Sequence, residues 1–130
     1  MSLQVGCKGR AETVVTLENT AAAVGSGLLP VFATPSMVAL MEHAAVNACA
    51  GGLEEGQGSV GTCLNITHDA ATPIGQKVCA EAELTAIDGR KLTFSVRAYE
   101  EAGPIGGGTH ERFLIMNERF LAKAQNRGGN

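Results

Sequence analysis

Thr34-Pro35-Ser36-Met37-Val38-Ala39-Leu40-Met41-Glu42-His43-Ala44-Ala45-Val46-Asn47-Ala48-Cys49-Ala50-Gly51-Gly52 is the stretch on which the fold turns. It opens on a helix start signal. A threonine hydroxyl can accept a free backbone N–H at the N-cap, and proline at the first helical position lacks only a donor that the helix does not use. It closes on two glycines, the residue type that ends helices most readily. Between these ends, Met37, Leu40, Met41, Ala44 and Ala48 form one stripe, and Val38, Glu42, Ala45 and Cys49 form its neighbour. A helix that is apolar round most of its circumference must be wrapped by other structure. Its single carboxylate, Glu42, then belongs on a buried or half-buried flank.

The wrapping is readable on both sides. Upstream, Arg10 to Glu18 is rich in β-branched residues and reads as a strand, followed by a lid-like connection, Asn19 to Pro30, in which Ala21-Ala22-Ala23 suit a helical turn. Downstream, Ser59 to His68 alternates Val60, Leu64, Ile66 and His68 against Gly61, Cys63, Asn65 and Thr67. Gln76 to Ile87 and Arg90 to Glu100 alternate in the same way about an Asp88-Gly89 hairpin turn. Glycines 103, 106, 107 and 108 lead into a last strand, about Thr109 to Ala122. One long helix and about five strands, four of them consecutive, predict an α+β domain with an antiparallel sheet curled round the helix. Residues 1–130 are the size of one domain, with an ordered core of about 10–123 and a frayed tail over 124–130.

Composition narrows the function. Hydrophobic residues make up 45% of the chain, enough for a core, and ten basic against thirteen acidic residues leave no cationic surplus for nucleic acid or an anionic membrane. Cys7, Cys49, Cys63 and Cys79 have no CxxC spacing, and Cys49 and Cys63 lie in apolar runs, as small packed hydrophobes do. This favours a reducing, cytoplasmic setting. No stretch has the roughly 18 unbroken apolar residues of a membrane span, and the N-terminus reads as no export signal. An antiparallel sheet of this kind leaves an open edge, so a homodimer with continuous sheets, or a pair of such dimers, is expected.

The chemistry concentrates in Thr34, Glu42 and His68. Packing the second strand on the helix brings together a hydroxyl, a carboxylate and an imidazole in apolar surroundings, the outline of an acyl-transfer site. Each has a plainer reading: Thr34 as an N-cap, Glu42 as a solvated helix residue, His68 as a satisfied core histidine. The apolar stripe mates of Glu42 argue against solvation, and a buried carboxylate needs a partner, for which His68 is the nearest candidate. Glu42 then orients His68, activates water or attacks the acyl group itself. His43 and His110 read as surface or interface residues, and no metal spacing is present. Gly106-Gly107-Gly108 is no phosphate loop. It marks a bulge or close backbone approach in the last strand, or else room for a bound ligand.

The order of strand, lid, buried helix and four strands resembles the hotdog fold. Val31-Phe32-Ala33-Thr34-Pro35 through Glu42, Ser59-Val60-Gly61-Thr62, Thr67-His68-Asp69-Ala70-Ala71-Thr72-Pro73 and Gly106-Gly107-Gly108-Thr109-His110-Glu111-Arg112 together resemble the fluoroacetyl-CoA thioesterase family. That resemblance implies a thioester hydrolase with a catalytic Thr34, Glu42 and His68. It also implies substrate contacts at Gly61 and Arg112, with Phe32 and Leu28 from the motif and the lid, and no cofactor beyond coenzyme A within the substrate. The family's fluoroacetyl enzyme has phenylalanines in its lid. This lid, Ala23-Val24-Gly25-Ser26-Gly27-Leu28-Leu29, has none, which argues against fluoroacetate and for another small or aliphatic acyl group. The competing readings are a non-catalytic acyl-CoA or small-ligand binder of the same fold, and an enoyl-CoA hydratase.

Overall fold

A computed structural model of the chain describes residues 2–128. Strand β1 spans Lys8–Val14, a 3₁₀ turn Leu17–Asn19, helix α1 Ala21–Val24 and helix α2 Thr34–Cys49. Strands β2 (Gln57–His68), β3 (Lys77–Asp88), β4 (Lys91–Glu100) and β5 (Gly103–Met116) follow, then helix α3, Asn117–Arg127. The five strands form one antiparallel sheet in the order β1-β3-β4-β5-β2. Helix α2 lies across β1 and β3, touches β4 less and barely reaches β2. This is the hotdog arrangement.

The core sits between α2 and the first three strands of that order. Met37, Met41, Ala44 and Ala45 on the helix meet Val78, Ala80, Leu84, Leu92 and Phe94 on β3 and β4, all fully buried. Each large side chain here contributes about 1.5–3 kcal/mol relative to exposure. Gly9 on β1 is part of the fit, because a Cβ there would collide with the backbone of Ala44 and Ala48. The helix approaches β1 that closely only over a residue without a side chain.

Several boundaries differ from the sequence expectations. The first strand starts and ends earlier, because Leu17–Asn19 coils into a turn in which the Thr16 N–H donates to the Asn19 side chain at 2.9 Å. The hairpin turn is Gly89-Arg90, one residue later than expected, since Asp88 pairs with Lys91 across it and Gly89 takes the positive φ of +60°. Strand β5 begins at Gly103, inside the glycines, and ends at Met116. Residues 117–122, expected as strand, and much of the expected tail form α3, an exposed helix through Arg127. Its Glu118 and Arg127 sit at the ends where their charges favour a helix.

The sheet carries one irregularity that matters for the site. In β2 the register shifts between Gly61 and Cys63, so Thr62 is an extra residue and the alternation of faces changes phase there. Gly61, opposite Arg112, therefore shares the inner face with Leu64, Ile66 and His68, opposite His110, Gly108 and Gly106. Val60, expected on that face, is paired with the outward, partly exposed Phe113. Strict period-two reading placed Gly61 on the wrong side.

Candidate active site

Helix α2 begins at Thr34, and its N-cap is Ala33, which has no side chain to cap with. Thr34 is thus the first helical residue, contrary to the N-cap reading, and its hydroxyl is released from capping. It lies 2.7 Å from Nδ1 of His68 at the end of β2. Strand β5 lets the two meet. A Cβ at Gly106, the partner of His68, would collide with the Thr67 carbonyl and lie 3.0 Å from the Met37 thioether. At Gly108 a Cβ would strike the Asn65 carbonyl. Close backbone approach therefore accounts for these two glycines. Nε2 of His68 is buried with no hydrogen-bond partner among the described residues.

The hydroxyl–imidazole pair borders a cleft of about 240 Å³ with Ala21, Ser26, Val31, Phe32 and Asp69 on its walls. Phe32, itself buried, lines it, whereas Leu28, 94% exposed, does not. A larger hollow of about 590 Å³ lies on the outer face of the sheet among Lys8, Arg10, Glu81, Glu83, Ser95 and Arg97. Its charges are largely paired, Arg97 with Glu81 at 2.7 Å and Arg10 with Glu12.

Glu42 is elsewhere. Eight residues beyond Thr34 on α2, it is about 12 Å further along the helix axis. Its Oε2 accepts from Arg112 Nη1 at 3.4 Å, beside Gly61. A Cβ on Gly61 would collide with that carboxylate and lie 3.2 Å from the His110 ring and 3.3 Å from the Arg112 guanidinium. Within one chain Glu42 is partnered by Arg112, not by His68. Arg112 is 5% exposed and also donates through Nε to the Ser59 hydroxyl at 2.8 Å and through Nη2 to the Ser59 carbonyl at 3.0 Å. Of the roles open to it from sequence, it holds the helix carboxylate. Glu111 instead pairs with Lys91 at 3.8 Å.

Sequence reasoning missed Ser59 and His110. Expected at the surface or an interface, His110 is fully buried on the inner face of β5, against Phe94. Its own strand gave the signal: Arg112, two residues on, was already a site candidate, and residues two apart share a face. Burial pushes the pKa of His110 down, opposed by the Cys63 carbonyl and reinforced by the Arg112 charge. Cys63, expected to pack as a small hydrophobe, is exposed, while Cys49 is buried and its thiol pKa is raised by that burial.

The sequence matches the family described as FlK, fluoroacetyl-CoA-specific thioesterase, over residues 15–118. A fluoroacetyl-CoA thioesterase of Streptantibioticus cattleyicolor is 50% identical over 95 residues, 73% of this chain and 68% of that protein. The chain belongs to the fluoroacetyl-CoA-specific thioesterase family. The solved structure of the fluoroacetyl-CoA thioesterase FlK matches with a TM-score of 0.91 at 40% identity, covering 98% of both chains. A Thr-to-Ser variant of FlK solved with acetyl-CoA matches at 0.90 and 40% identity, covering 95% of this chain and 98% of that one. The family resemblance read from separated motifs is thereby borne out, as is the hotdog fold. No helix among the described residues is long and apolar enough to cross a membrane.

Proposed function

We propose that the chain hydrolyses a small acyl-CoA thioester to the free acid and CoA. The observation that carries this reading, given the family, is the Thr34 hydroxyl 2.7 Å from His68 Nδ1 at the start of α2. Thr34, or a water held by it, gives its proton to Nδ1 as its oxygen bonds to the thioester carbon. The developing oxyanion is stabilised by first-turn amides of α2, Pro35 excepted. The C–S bond then breaks, and the imidazolium returns the proton to the departing thiolate. An acyl-threonine, if formed, is cleared by water through the same relay.

Glu42 joins this site in a homodimer built through β2. That strand is a twelve-residue edge with one neighbour, and its inner Leu64 and Ile66 are only half-buried because α2 does not cover them. Such an edge pairs readily with another strand. Antiparallel pairing of β2 with its copy sets the Gly61 end of one strand beside the His68 end of the other. Glu42 of the partner subunit then approaches Nε2 of His68, the ring atom left without a partner in one chain. The lid without phenylalanines fits a small or aliphatic acyl group, and the uncrosslinked cysteines fit a reducing cytoplasm.

Thiol release from a panel of short, branched and aromatic acyl-CoA esters tests the reaction. Turnover of a few short esters, lost in His68→Ala and Glu42→Gln, is expected. Binding without thiol release would instead identify a non-catalytic ligand carrier. Unfolding and refolding the two inactive variants together tests the shared site. Activity should return to about a quarter of wild type, because half of randomly re-paired dimers are mixed and each holds one intact site. No recovery would place the whole site within one chain.

A further inference from the structure

His110 is the buried ionisable group that the mechanism above leaves unused, and its surroundings define its protonation. Nδ1 lies 2.9 Å from the Cys63 carbonyl. A carbonyl can only accept, so Nδ1 carries the hydrogen. Nε2 lies 3.1 Å from Arg112 Nη1, a nitrogen that can only donate, so Nε2 carries a lone pair. Both contacts are satisfied by one neutral tautomer and by no charged form. The ring is held between β2 and β4, with its centroid 6.1 Å from that of Phe94.

The other end of this contact is the guanidinium that carries Glu42. Nη1 of Arg112 spends one hydrogen on His110 and the other on Glu42, while Nε and Nη2 are fixed by Ser59. The Ser59 contacts alone let the guanidinium tilt about them. The imidazole acceptor sets that tilt, and with it the position of the Glu42 carboxylate beside Gly61. We propose that His110 is a positioning residue, its neutral Nδ1-protonated imidazole acting as a fixed acceptor that aims Arg112, and through it Glu42, into the active site. This rests on the assignment of Glu42 to the reaction above.

Three substitutions and one spectrum test it. His110→Phe keeps the ring and loses the acceptor. kcat should fall on the order of ten- to a hundredfold, with KM changing less than about threefold, since misplacing a reacting group costs rate more than binding. His110→Gln restores an acceptor near the Nε2 position and should recover most of kcat. His110→Asn can still donate to the Cys63 carbonyl, but its oxygen does not reach Arg112, and it should remain impaired. Asparagine matching or exceeding glutamine would overturn the proposal, because the Cys63 contact would then be what matters. Independently of activity, long-range proton–nitrogen NMR of the wild type at neutral pH should find His110 neutral and protonated at Nδ1. The other tautomer, or an imidazolium, would overturn it. If the wild type releases no thiol from any ester, the proposed reaction fails, and the spectrum still decides the state of His110.

Discussion

The two ends of the sheet are built to opposite rules. Under α2, strands β1 and β3 present alanine, valine and leucine to a helix that approaches over Gly9, and among the described residues no charged side chain is buried there. At the other end, β5 and β2 bury His110 and Arg112, admit the Glu42 carboxylate over Gly61 and end in the open edge. The first region derives its stability from burial. The second spends some of it, because each buried polar group must keep its partner or destabilise the fold by about 1–3 kcal/mol. Stability and chemistry are thus separated along the sheet, and the last turns of α2 are what they share.

The sharpest way to break the comparison is Thr34→Val, which removes an exposed hydroxyl and little else. Thiol release should fall roughly 10²–10⁴-fold, the scale of lost acid–base help, while thermal unfolding stays where it was. Gly61→Ala should strike both properties, since its Cβ collides with Glu42. We expect on the order of tenfold or more in kcat and about 1–3 kcal/mol of stability, read by denaturant titration alongside turnover. Met41→Ala, in the region built only for packing, should cost about 2–5 kcal/mol yet leave kcat of the folded protein within about twofold. If Met41→Ala abolished turnover at temperatures where the protein stays folded, the two regions would not be separable.

The smallest expected effect is one of pH. Burial holds the pKa of His110 below its ordinary 6.5 in the folded chain. Between the folded and unfolded values the unfolded chain binds more protons, so stability rises with pH there and is lost on acidification from neutrality. The melting temperature of the wild type should therefore drop as pH falls from about 7 to 5, and drop less in His110→Gln. Equal slopes would show that folding leaves the pKa of His110 at its unfolded value.

The same division governs how much could be read beforehand. Helix α2 and strands β3 and β4 were legible because burial imposes a period on their residues, and β2 because its alternation holds from Leu64 to His68. Thr34, Glu42 and His68 stood out as polar residues breaking that pattern. The rest depended on events that periodicity does not encode. A single extra residue at Thr62 moved Gly61 to the inner face. Glycines 106 to 108 read as a break, although they lie within a strand whose neighbours come too close for a Cβ. The apolar run of β5 masked the start of α3 at Asn117. That Glu42 meets Arg112 and not His68 follows from the length of the helix between two polar residues, which a face diagram does not display.

The bulge at Thr62 has a consequence for anyone grafting this site. Gly61 and His68 are seven positions apart, an odd interval, and on a regular strand they would look to opposite sides of the sheet. A scaffold that borrows the whole segment but holds it as a regular strand, every residue kept and the bulge flattened, carries every chemical group of the original and points half of them at solvent. At this spacing the motif is portable only with its irregularity included, so here one apparently idle threonine decides which way its neighbours look.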